Sequence, residues 1–250
     1  MKNKPDAESN INIDLAWKNM EKRDFQGAIK IFQELHETHD DDASLYGLGC
    51  SLLRKGDAEQ AVEMFDKLLE RDKNNFKVYH MRALSHGLDE NYAAAMKDFE
   101  KALELADEKQ ELWCDVGGTL MVTKNYKKAA QMFQKAVDND GRCYEAWMGK
   151  ALAAYFNKEQ KAALEFLNIS LKLNPKNILA LLAKAEIFLE MGKVEEVEKE
   201  LKKILAIDSK IFEKAKDFKK AEDLDSDDRE QDEDGNRSDE DEIEEFDLDD

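Results

Sequence analysis

A small or slim apolar residue comes back every 33 or 34 positions along this chain: Ala28, Ala61, Ala95, Ala129, Ala163 and Val197. Each is followed one helical turn later by a bulky apolar residue, in order Phe32, Phe65, Phe99, Phe133, Leu167 and Leu201. Residues four apart lie on the same face of a helix, so each pair marks one apolar stripe. Twelve positions before each alanine stands another small residue: Ala16, Gly49, Ala83, Gly117, Ala151 and Ala185. The pattern predicts two helices per period, with the small residues letting their backbones approach and the bulky ring or leucine filling the seam. The second helix of the first four periods has a good N-cap at Asp24, Asp57, Asn91 or Asn125, while Glu159 and Lys193 hold that place later as poorer caps. One such pair cannot bury its own stripe, so neighbouring pairs must stack. A self-similar period of this length is the mark of a helical repeat array.

The residues that carry this pattern are Trp113 and Trp147 near repeat starts, the small residues and alanines above, Gly56-Asp57 and Asn125-Tyr126 at inter-helix turns, and Pro175 at a repeat end. In these positions the chain resembles the tetratricopeptide repeat. The resemblance implies an all-α fold, a right-handed superhelical solenoid of six helix-turn-helix units over residues 9–210, at about 9–41, 42–75, 76–109, 110–143, 144–177 and 178–210. Residues 1–8 read as a flexible lead-in, 211–221 as a capping helix with Ile211, Phe212, Ala215 and Phe218 at helical spacing, and 222–250 as a disordered acidic tail.

The resemblance also implies a function, capture of a partner's peptide or helix in a concave groove lined by the first helices. Carried over by position, that groove contains Ile13, Trp17 and Met20, then Tyr46, Cys50 and Leu53. Further along it holds His80, Leu84, Cys114 and Met121, and finally Met148, Leu152, Tyr155, Leu182 and Leu189. The row is rich in methionine and aromatic residues, which suit an adaptable site for apolar side chains. A well-known variant of such grooves clamps a C-terminal carboxylate of chaperone peptides. The corresponding places here hold Ile13, Trp17, Gly47 and Met81, with only Lys77 matching, so that subclass is not expected.

Charge changes the picture at one end only. The chain carries −19, yet Glu222 to Asp250 holds 18 acidic residues against Arg229 and Arg237, a net −16. The remaining 221 residues carry 39 acids and 36 bases, close to neutral. Such a tail repels phosphates, and nucleic-acid binding is not expected. The tail supports a competing function, an acidic escort for basic proteins of the histone or ribosomal kind; alternatively its end, with Ile243, Phe246 and Leu248 among acids, reads as a short docking motif. It is also placed to fold back on the lysine-rich stretch at Lys210, Lys214, Lys216, Lys219 and Lys220.

Candidate chemistry is thin. No phosphate-binding glycine loop, Cys-x-x-Cys pair, His-Glu-x-x-His helix or nucleophile elbow is present. His36, His39 and Asp40 to Asp42 contain donor types for a divalent metal, but histidines near a helix C-terminus commonly sit against its dipole in solvent. Tyr46, His80, Cys114 and Met148 share one repeat position. Packed helices lie about 8–10 Å apart, so one residue per helix makes a ladder rather than a coordination shell. No metal, cofactor or catalytic set is therefore expected. Three cysteines, no apolar run of membrane-spanning length and a polar N-terminus fit a soluble cytoplasmic protein.

Overall fold

With two prolines in 250 residues, little interrupts helix formation except the turns themselves. The computed structural model describes residues 7–210, and the expected lead-in, capping helix and acidic tail fall largely or wholly outside them. The described residues form twelve α-helices and no strand. They pair as α1 (Ala7–Glu21) with α2 (Phe25–His39), α3 (Asp42–Lys55) with α4 (Ala58–Arg71), and α5 (Phe76–Leu88) with α6 (Tyr92–Leu105). The pairs continue as α7 (Gln110–Val122) with α8 (Tyr126–Asn139), α9 (Tyr144–Phe156) with α10 (Gln160–Leu173), and α11 (Ile178–Glu190) with α12 (Val194–Ile207).

Two compact units divide the chain, one ending at Gly141 and the other beginning at Arg142. In the first, each helix from α1 to α8 packs on the next, and the first helices α1, α3, α5 and α7 also touch one another in turn. In the second, α9 to α12 pack in order and α9 touches α11. The periodic residues form the seams. Ala28, Ala61, Ala95, Ala129 and Ala163 have no exposed surface, and neither do Phe32, Phe65, Phe99 and Leu167. Burying each ring contributes about 2–3 kcal/mol. The small residues are there for space. A Cβ on Gly49 would meet the Phe65 ring at 2.8 Å, and one on Gly117 would meet Phe133 at the same distance. At the end of the array the pattern loosens, since Val197 and Leu201 are only half-buried.

The turns inside the pairs repeat a single backbone design. The residue before each second helix's N-cap has positive φ: Arg23 (63°), Gly56 (104°), Glu90 (57°), Lys124 (60°), Lys158 (68°) and Gly192 (70°). The following residue then donates its backbone N–H to the carbonyl five positions earlier, as in Asp57 to Leu52 (3.0 Å), Asn125 to Leu120 (2.8 Å) and Lys193 to Phe188 (2.9 Å). This bond satisfies an orphan carbonyl at the end of the first helix. The expected caps hold in part. Asp24 accepts from Gly27 N–H and Asn91 from Ala94 N–H. Asp57 and Asn125 make no side-chain cap bond, and the Asp57 carboxylate instead takes the Lys55 ammonium at 2.7 Å.

Candidate functional site

Stacking places the first helices side by side, so side chains on their free flank share one face in each unit. In the first unit, Ile13, Met20, Tyr46 and Leu53 are half-buried and pack against the core of α1–α5. Trp17 is 36% exposed and lays its ring edge against Phe32, 5.2 Å between centroids. Leu84, Cys114 and Met121 are half-buried. Cys50 and His80, expected among the contact residues, are buried and present little surface. Burial pushes the Cys50 thiol up to about 11, although Tyr46 and Arg54 pull the other way. The Tyr46 phenol is held neutral by burial first, then by the Cys50 sulfur and the Glu111 carboxylate.

In the second unit, Met148 and Tyr155 pack against the core, and Leu152 is half-buried. The Tyr155 hydroxyl donates to Glu190 at 2.6 Å, and Gln160 donates to the other Glu190 oxygen at 2.8 Å. The Tyr155 bond is the first cause both of a raised phenol pKa and of a lowered Glu190 pKa. Leu182 and Leu189 are exposed, with Leu179 on the same helix at 66%. Asn177 caps α11 by accepting from Ala180 N–H, and its amide also reaches the Met148 sulfur at 3.5 Å.

Several exposed apolar residues escaped the sequence reading. Leu88, Val122 and Phe156 recur every 34 positions and are 50%, 59% and 45% exposed. Val194 and Leu205 on α12 are also open. The 34-residue recurrence of bulky side chains at the ends of first helices was the available signal.

The face is less uniformly apolar than its positions implied. His80 Nε2 on α5 stands 2.6 Å from Asp115 Oδ2 on α7, and Glu111 lies one turn before Asp115. Donor atoms of the three come within 4.8 Å of one another. The ladder argument over Tyr46, His80, Cys114 and Met148 considered one residue per helix and missed a grouping that takes one residue from one helix and two from another. Elsewhere the suggested donors do not converge. Asp40 and Asp42 both bind Arg71 from α4, and Asp41 caps α3 by accepting from Ser44 N–H at 2.8 Å. His36 faces Asp40 at 3.8 Å, and its Nδ1 is buried without a hydrogen-bond partner.

A family model for the tetratricopeptide repeat matches residues 13–75, 46–111 and 119–178, together more than half of the chain. The chain belongs to the tetratricopeptide repeat family. Tetratricopeptide repeat-containing protein trd-1 of Caenorhabditis elegans is 30% identical over 123 residues, 48% of this chain and 16% of that protein. The chain spans 15% and 16% of the lengths of the curated relatives it matches. Among solved structures, a tetratricopeptide repeat protein from Parabacteroides merdae superposes with a TM-score of 0.65 at 19% identity, covering 79% of each chain. YrrB, described as a TPR protein with an unusual peptide-binding site, gives 0.55 at 21% identity, covering 72% of this chain and 94% of that one. Among the described residues no helix is long and apolar enough to cross a membrane.

Proposed function

We propose that this tetratricopeptide repeat chain is a non-catalytic scaffold that takes an apolar peptide or the apolar flank of a partner's amphipathic helix on the free face of its first helices. The observation that carries this reading is α11. Its Leu179, Leu182 and Leu189 fall within one flank of the helix and are 66%, 37% and 64% exposed. An open leucine flank of this kind on a protein surface usually marks a contact site, and a groove of parallel helix faces suits helix or strand ligands read by alternating anchors. Family membership and the peptide site named for YrrB support the same role. The absence of lysines and asparagines at most clamp positions supports an apolar ligand over a carboxylate terminus, Lys77 being the one match.

Tyr46, Met148 and Tyr155 pack into the cores. Aspartate at those sites would probe folding, whereas the exposed leucines probe binding. Panning a displayed random-peptide library on the full-length chain should enrich peptides with apolar residues at helical or alternating spacing. The Leu182→Asp, Leu189→Asp double variant, with an unchanged helical spectrum, should lose that enrichment; equal enrichment by the variant overturns the reading. The competing role, an acidic escort of basic chains through residues 222–250, rests on the −16 charge of that stretch. It predicts enrichment of lysine- and arginine-rich peptides instead, weakened by salt and abolished when the chain ends at Ala221.

A further inference from the structure

Three tight acidic groups described in this protein hold cations of their own. Asp40 and Asp42 share Arg71, Asp66 and Asp98 share Arg82, and Glu200 lies between Lys184 and Lys203. The pair on α7 differs. Among the described residues no lysine or arginine pairs with Glu111 or Asp115, and Asp115 faces an imidazole instead. That imidazole is fixed. His80 is 6% exposed, and its ring lies 6.1 Å from the Phe99 ring in the seam beneath it. Its Nε2 meets Asp115. Glu111, by contrast, is exposed and free to adjust.

We propose that His80 Nε2, one Asp115 oxygen and one Glu111 oxygen bind a single divalent transition ion of the zinc class, with the remaining coordination position open to solvent on the first-helix face. The donor set selects the ion. Calcium and magnesium favour all-oxygen shells, whereas an imidazole with two carboxylates suits zinc and its neighbours. The geometry is within reach. Zinc bonds of about 2.0–2.2 Å place tetrahedral ligand atoms roughly 3.3–3.5 Å apart. The His80 and Asp115 atoms, now 2.6 Å apart, must therefore part slightly, while Glu111 closes from within the present 4.8 Å limit. Glu111 and Asp115 are four residues apart on α7, so both reach the same side of the histidine without any backbone change. This inference does not depend on the peptide-binding role.

The test uses the full-length chain, stripped of metal and then titrated with Zn²⁺ by calorimetry and with Co²⁺ by visible absorption. One tight equivalent is expected above the weak background of the acidic tail, with the intense bands of low-coordinate cobalt. His80→Ala and Glu111→Gln should each weaken the tight phase by at least about tenfold. A triple change of Asp247, Asp249 and Asp250 to asparagine should leave it unchanged. Should His80→Ala fail to fold, Glu111→Gln alone decides, since that side chain is exposed. A tight phase insensitive to Glu111→Gln, a weak multi-site isotherm alone, or a weak octahedral cobalt spectrum each overturns the proposal. So does tight binding of a lysine peptide that Glu111→Gln abolishes while Zn²⁺ shows no tight phase, because the carboxylates would then serve a basic side chain.

Discussion

Lys124 holds φ at 60° and Glu90 at 57°, a region in which an L side chain crowds its own backbone. Replacing either by glycine removes that crowding but adds freedom to the unfolded chain, so each change should stabilise by about 0.5–1 kcal/mol in urea unfolding. Gly56, at φ 104°, lies further from the region side chains tolerate, and Gly56→Ala should cost about 1–2 kcal/mol. Phe65→Ala leaves a hole in a seam with no exposed surface and should cost about 3–5 kcal/mol. The thiol of Cys50 supplies a pH signature. Burial raises it from 9.0 to about 11, so the folded state holds the proton more tightly than the unfolded chain does. Its stabilisation is complete below about pH 9 and is lost as pH rises toward 11, by about 2–3 kcal/mol. Alkaline unfolding of the wild type compared with Cys50→Ala isolates this share, and a parallel pH dependence in both would refute it.

At the scale of elements, Arg82 ties three helices together. From α5 its Nε and Nη2 donate to both oxygens of Asp98 on α6 (2.7 and 2.6 Å), and Nη1 reaches Asp66 at the middle of α4. Asp98 is buried, so Arg82→Ala strands a carboxylate and should cost about 3–5 kcal/mol by thermal unfolding. Arg82→Lys should recover only part of this, since an ammonium cannot present the planar fork to two oxygens. Helix positions and seams were readable from the 33 or 34 residue recurrence because an apolar stripe has only one way to be buried. Caps were less readable. Asp57 looks like Asp24 in sequence, but Lys55 beside it competes for its carboxylate. The site was least readable. Asp115 meets His80 across 35 residues and two helices, and neither residue signals the other in its own repeat. Which flank stays open at Leu88, Val122 and Phe156 depends on how adjoining helices lean, which the period alone does not encode.

At the scale of the whole chain, each helix pair leans on its immediate neighbours within its own unit, so damage should remain local. Hydrogen exchange of Phe65→Ala should accelerate in α3 and α4 and in the helices packed on them, α1, α2 and α5, while amides of α10 to α12 keep their wild-type protection. Uniform loss of protection along the chain would show a more cooperative body. Charge is divided as sharply as packing: the last 29 residues carry −16 of the total −19. Removing them should raise the isoelectric point well above the sequence value of 4.7 and leave the helical spectrum of α1 to α12 unaltered. The corner between the helices of each pair is closed by main-chain atoms, with an arginine, a glutamate, two lysines and two glycines at equivalent places. The chain can therefore recolour the charge at each of these corners, residue by residue, without moving any helix, and so alter what approaches a corner while the helix faces stay as they are.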